Sequence, residues 1–295
     1  MGWFFIALIG PAIWAMVNLI DDNMINKVYK TPFFGTIISG LFALIPLLSL
    51  FFIDIVIPPV KIILLATVAG FLMVCSYFFY FKTLMSESPS ITIALWNMSI
   101  AIVPFLAFFF LGEKLRLIQY IGFAVVLLSS MALSAVNIKK FKLSKGFYLM
   151  AISSFIIAIV AIFEKYVYQK VDFWSGFIFL SLGMSLGGLF FMICFKEGRC
   201  FIQHFKSRFK KYIWIFMLSE MLNIIAVFAS NFAVSKGPVS LVKVIEGVQS
   251  MYVLIFAILL YPLFPKYFRE ATHSHRLRKI FLMMVILLGL YLINI

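Results

Sequence analysis

Lys243 and Glu246 stand three residues apart inside the apolar run 239–260. On a helix that spacing is about 60° of arc, so the ammonium and the carboxylate can pair on one face or line a shared opening. Ser250 lies near the same face. A second polar stripe belongs to the run 212–234, where Glu220, Asn223, Ser230 and Asn231 fall at about 0°, 300°, 280° and 20° around a helix. A third is formed by Trp14, Asn18, Asp21 and Asp22, at i, i+4, i+7 and i+8. Asp22 reaches pocket depth if that helix runs past Ile20 and is interfacial if it stops there, and Glu164 and Lys165 raise the same question. Tyr77, Trp96, Asn97 and Ser99 add aromatic rings and small polar groups.

Each group also has a plainer structural reading. Lys243 and Glu246 can be an ion pair that holds helices together, Asn223 and Asn231 can bridge neighbouring helices, and Trp96 can face core or lipid. Glu220 resists such a reading, because a carboxyl inside an apolar span must be protonated or paired.

The elements that position these residues follow from composition. Of 295 residues, 64% are hydrophobic and 12% charged, against about 45–50% and about 25% in soluble domains. A bilayer core needs about 20 apolar helical residues per crossing, since backbone amides in lipid must bond within their own segment. Ten stretches qualify: 3–20, 32–53, 62–81, 91–111, 118–137, 147–168, 174–195, 212–234, 239–260 and 280–295. Gly10 and Pro11 are placed to kink the first. It has no basic segment before it and is followed by many equal runs, so it reads as a retained helix rather than a leader. The connections leave no room for a soluble domain, which argues against an enzyme. The net charge of +14 comes from short basic runs between apolar stretches, a pattern that fits anionic headgroups better than nucleic acid.

No Gly-rich phosphate loop is present, so hydrolysis-driven pumping is not expected. Cys75, Cys194 and Cys200 lack paired spacing, and His273 and His275 lie among positive charges and read as solvated. Neither a metal nor a cofactor is expected. Repeated charged rings or a filter-like loop, as a channel would need, are also missing.

An internal repeat is legible. Aligning Pro89 with Pro238 sets Lys82 against Asn231 and Asn97 against Glu246, and 26–30 closes the first helix as 164–168 closes the sixth. Two halves of five helices, 1–140 and 141–295, must insert in opposite senses because five is odd, giving an inverted repeat. Basic residues favour the loops after odd-numbered helices by 18 to 6, which places those loops in the cytoplasm and both termini outside.

The turn Leu111-Gly112-Glu113-Lys114-Leu115, then Gln119 and Gly122, with a proline opening the fourth and ninth helices, the 262–270 stretch and Gly289 in the last, carries a family likeness. The chain resembles the ten-helix EamA-type branch of the drug/metabolite transporter superfamily. In the second half, residues 263–279 replace the compact Gly-Glu turn. The resemblance implies an all-α polytopic fold of about ten helices in two inverted five-helix repeats. It also implies a multi-pass bacterial inner-membrane location and a pocket between the halves. Onto this sequence the pocket maps as Asn18, Asp22, Tyr77, Trp96, Asn97, Glu220, Asn223, Asn231, Lys243 and Glu246. The expected activity is secondary transport of a small amino acid, amine or other amphipathic solute, with the bilayer as partner. The alternatives are a flippase for an amphipathic or lipid-linked substrate and a membrane enzyme using Glu220 or Asp22 as general base.

Overall fold

The computed structural model describes residues 2–25, 28, 30–87, 89–134, 145–201, 212–260 and 276–295. The expected boundary between halves, the 262–270 stretch, His273 and His275 lie outside the described residues. Those residues form helices and no strands: α1 Gly2–Met24, α2 Pro32–Phe42, a 3-10 helix Ile45–Phe51, α3 Val60–Leu84, α4 Pro89–Trp96, α5 Met98–Leu111 and α6 Leu117–Ser134. The second part of the chain gives α7 Lys145–Tyr168, α8 Phe173–Cys194, a short α9 Lys196–Arg199, α10 Ile213–Lys236, α11 Val239–Glu246, α12 Gln249–Leu260 and α13 Arg276–Asn294.

Six segments are long and apolar enough to cross a membrane, namely Gly2–Asp22, Pro32–Phe51, Val60–Leu84, Lys145–Tyr168, Phe173–Cys194 and Trp214–Lys236. Shorter apolar helices accompany them, and the chain is an all-α polytopic membrane protein. Phe109, Phe110, Trp214 and Phe281 lie open on its outside, where lipid rather than water is the suitable solvent.

Departures from the expected spans have local causes. α1 runs through Pro11 and past Ile20 to Met24, so Asp21 and Asp22 are both helical. α2 starts at a cap in which the Thr31 hydroxyl accepts the Phe33 N–H at 3.4 Å, and it stops at Phe42. Pro46 has no N–H to return to that turn, and the chain continues as 3-10 helix instead. The fourth and ninth spans are each broken in mid-course. Around Asn97 the Ile100 N–H bonds back only to Asn97 O, and after Glu246 the Gly247 and Val248 N–H groups bond to Val244 and Ile245. These tightened turns leave carbonyls to be satisfied from outside, and the Ser154 hydroxyl of α7 donates to Leu95 O at 3.1 Å.

α1 lies along α10, α7 along α3, α5 against α7, α12 against α1, and α6 along α13. Exchanging α1 with α7, α3 with α10, and α4–α5 with α11–α12 turns each of the first four pairs into another observed pair. Two contacts of α3 break the pattern, since its packing against α2 also exceeds that of α10 against α8. α3 is packed closely along α8, backbone to backbone at Gly70 and Gly183, whereas the exchanged pair α10 and α2 meets only briefly.

Candidate functional site

A cavity of about 80 Å³ opens in the middle of the bundle, bordered by α1, α2, α3, α4–α5, α7, α10 and α11–α12. That is below the about 300–1,000 Å³ of a usual small-molecule pocket, so side chains must draw back to admit an organic solute. The cavity border falls in the second half of α1 and of α3 and in the first half of α10. Those three half-helices share one end of the molecule, whereas Ile157, Val160 and Glu164 belong to the second half of α7, which leads to the other end.

Two polar clusters occupy it. In the first, Lys243 Nζ donates to Glu246 Oε1 at 2.9 Å and stands 3.9 Å from Glu164 Oε2. The Ser230 hydroxyl also donates to Glu246 Oε1, at 2.5 Å. Glu164 is 1% exposed, and neither of its oxygens accepts a hydrogen bond from a described residue. Asn231 directs its Nδ2 to Val227 O at 3.0 Å. The ion pair is therefore strong on the Glu246 side and loose on the Glu164 side.

In the second cluster, Trp14 Nε1 donates to Asn223 Oδ1 at 3.0 Å, Asn223 Nδ2 reaches Glu220 Oε2 at 3.5 Å, and Ser39 Oγ donates to Glu220 Oε1 at 2.9 Å. This chain ties α1, α10 and α2 around one carboxylate. Asp21, also buried, is an electrostatic neighbour of Glu220. Tyr80 OH lies 2.7 Å from Asn18 Oδ1 and 3.4 Å from Asp21 Oδ2. A phenol has one proton to give, and the shorter contact takes it. Asp21 is left with the Ser219 hydroxyl at 3.5 Å. Tyr77 stands between the clusters, within electrostatic reach of Glu220, Glu164, Glu246 and Asp21. Trp96 packs edge-on to Tyr80 with centroids 5.7 Å apart.

Of the residues expected at the pocket, Asn18, Tyr77, Trp96, Asn97, Glu220, Asn223, Lys243 and Glu246 border the cavity. Asp22 and Asn231 do not. One residue along a helix is about 100° of rotation, and it is Asp21 that faces Tyr80 and Ser219. Asn231 accepts the Tyr168 hydroxyl at 2.8 Å and so joins α10 to α7. The polar stripe on α10 is thus divided: its first part borders the cavity, Ser230 supports Glu246, and Asn231 bridges helices. Asp21 and Glu164, noted in the sequence but left out of the expected pocket, border the cavity, as do Ser39, Tyr80 and Gln249. For Glu164 a signal existed, since Ser153, Ile157, Val160 and Glu164 follow i, i+4, i+7 and i+11 on one face of α7. Among the described residues no group of His, Cys, Asp and Glu could hold a metal ion.

The opposite end of the bundle is tied shut. α5 ends at Gly112, whose left-handed φ of 67° turns the chain so that Glu113 faces the start of α11. Glu113 Oε2 and Oε1 accept the N–H groups of Val239 and Ser240 at 2.9 and 3.0 Å. Lys165 Nζ donates to Val234 O and Gly237 O at 2.9 and 2.7 Å. An anion at the start of one helix and a cation at the close of another both suit the helix dipoles, and together they grip the α10–α11 turn from two other parts of the chain. Replacing Glu113 with Ala should lower the stability of purified protein by about 1–2 kcal/mol, the usual worth of a lost cap. Glu113→Gln should cost less, since an amide oxygen still accepts. Unfolding midpoints in detergent check this, and equal midpoints for all three proteins would show that the grip carries no weight.

Residues 1–135 match the EamA-like transporter family. No curated protein matches the chain. Among solved structures, a protein described only as a crystal structure is 15% identical and aligns over 99% of this chain and 95% of its own with a TM-score of 0.67. At that identity the likeness concerns the fold alone.

Proposed function

We propose that this chain belongs to the drug/metabolite transporter superfamily, a reading supported by the match of residues 1–135 to the EamA-like transporter family, and that it is a secondary transporter, exporter or exchanger, for a small metabolite. The observation that carries this reading is a charged cavity in the middle of the bundle, one end of which is gripped by Glu113 and Lys165. Alternating access requires such a state and its converse. The paired contacts exchanged between 1–140 and 141–295, and the matched breaks at Asn97 and after Glu246, support an inverted repeat as the source of the converse state. The two breaks are natural hinges, because short 3-10 turns inside a helix have few bonds to lose. A cavity bordered by seven parts of the bundle, α1, α2, α3, α4–α5, α7, α10 and α11–α12, favours a water-borne solute over a lipid-linked one, for which a lateral opening would be needed. The setting we propose is a bacterial inner membrane.

The test uses Ser99, which borders the cavity. In a background with Cys75, Cys194 and Cys200 replaced by serine, a Ser99→Cys protein in sealed vesicles is treated with a membrane-impermeant thiol reagent from either face. A transporter is labelled from both faces. Labelling from one face alone would sink the reading.

A further inference from the structure

Resting on the transport reading, we infer that the solute is an organic cation, a primary or secondary amine on an apolar or aromatic body, whose N–H donors go to Glu164. Four carboxylates border the cavity, Asp21, Glu164, Glu220 and Glu246, and Lys243 is the one basic side chain among the described residues that does. That lysine is already committed to Glu246 at 2.9 Å. A solute carboxylate entering here would find no free counter-ion and an excess of like charge.

Glu164 supplies the independent observation. Its carboxylate is almost wholly buried, borders the cavity, and accepts no hydrogen bond of normal geometry from a described residue, the neighbouring Asn231 amide being directed to Val227 O. The 3.9 Å separation from Lys243 gives it charge attraction without a bond. Buried carboxylate oxygens need donors, and an ammonium arriving through the cavity brings up to three. The rings of Trp14, Tyr77, Tyr80 and Trp96 border the same space, and their faces attract a cation that has left water. Asp21 and Glu220 border the same space, and a cation entering between them favours their ionised forms.

The inference is tested by calorimetric titration of the full chain in nanodiscs of neutral lipid with phenethylamine, phenethyl alcohol and phenylalanine. Phenethylamine should bind, with the other two weaker by about tenfold or more, the worth of one charge-assisted hydrogen bond. Glu164→Gln should weaken phenethylamine by about tenfold or more at an unchanged gel-filtration profile, and leave phenethyl alcohol as it was. Because glutamine mimics a protonated glutamate, equal amine affinity in wild type and variant would show that Glu164 is neutral and holds no cation, which overturns the inference. Phenylalanine binding as tightly as the amine, or no probe binding at all, overturns it too. Should the variant not fold, the comparison of amine and alcohol on the wild-type chain decides. Labelling of Ser99→Cys from both faces would leave the transport reading standing through any of these failures.

Discussion

Lys243→Met is expected to stop solute movement and to destabilise the fold by about 3–5 kcal/mol, the usual cost of removing one partner from a buried ion pair. Methionine keeps most of the apolar stem, so packing is nearly conserved and the loss is electrostatic. Glu246, with only the Ser230 hydroxyl remaining, and Glu164, with no hydrogen bond from a described residue, would then face each other's charge in a space remote from bulk water. The double variant Lys243→Met with Glu246→Gln should recover much of the stability, since one of the two stranded charges is gone. Transport should not recover, because the lysine that moderates the negative field around Glu164 is still missing. Thermal unfolding and vesicle flux, measured on the same preparations, separate these outcomes. A single variant as stable as wild type would mean that the two glutamates carry no charge to strand.

A comparable loss is expected from Gly183→Ala, for a different reason. A Cβ at Gly183 would fall on the Thr67 carbonyl oxygen, and one at Gly70 on the Leu180 carbonyl oxygen. Both obstacles are backbone, so no rotamer change relieves them and α3 must move away from α8. Overpacking typically costs about 1–3 kcal/mol, and the upper part of that range applies where two helix backbones must separate. Gly70→Ala should cost a similar amount. The pair together should cost less than the sum, because the separation forced by the first alanine already makes room for the second. Unfolding midpoints of the four proteins test it, and strict additivity would mean that the two glycines do not share one interface. The α3–α8 contact is also a place where the exchange pattern fails, α10 and α2 meeting only briefly. Loosening it should therefore shift Ser99→Cys labelling toward the face that is tied shut in the present state.

Several features were legible before any tertiary structure. The apolar runs predict the helices, and their ends fail only where a local rule competes, as at Pro46, or where a polar residue continues a helix that hydropathy ends, as at Asp21. The alignment of Pro89 with Pro238 sets Asn97 against Glu246, and the helix breaks fall beside both. The role of the Gly112-Glu113 turn was not readable, because its partners, Val239 and Ser240, lie 126 and 127 positions away.

Composition alone decided that lipid is the solvent, since a chain with 64% hydrophobic residues has far more apolar surface than a soluble core can hide. Helical period decided which polar residues share a stripe, because side-chain direction repeats along the backbone whatever surrounds it. Which part of a stripe meets open space was left to packing. Asp21 rather than Asp22 borders the cavity, Asn231 is spent on Tyr168, and Glu164 accepts no hydrogen bond of normal geometry from a described residue, through the way α1, α7, α10 and α11 are turned against one another. Rotation about a helix axis costs a local sequence nothing, and only contacts between distant segments select one angle.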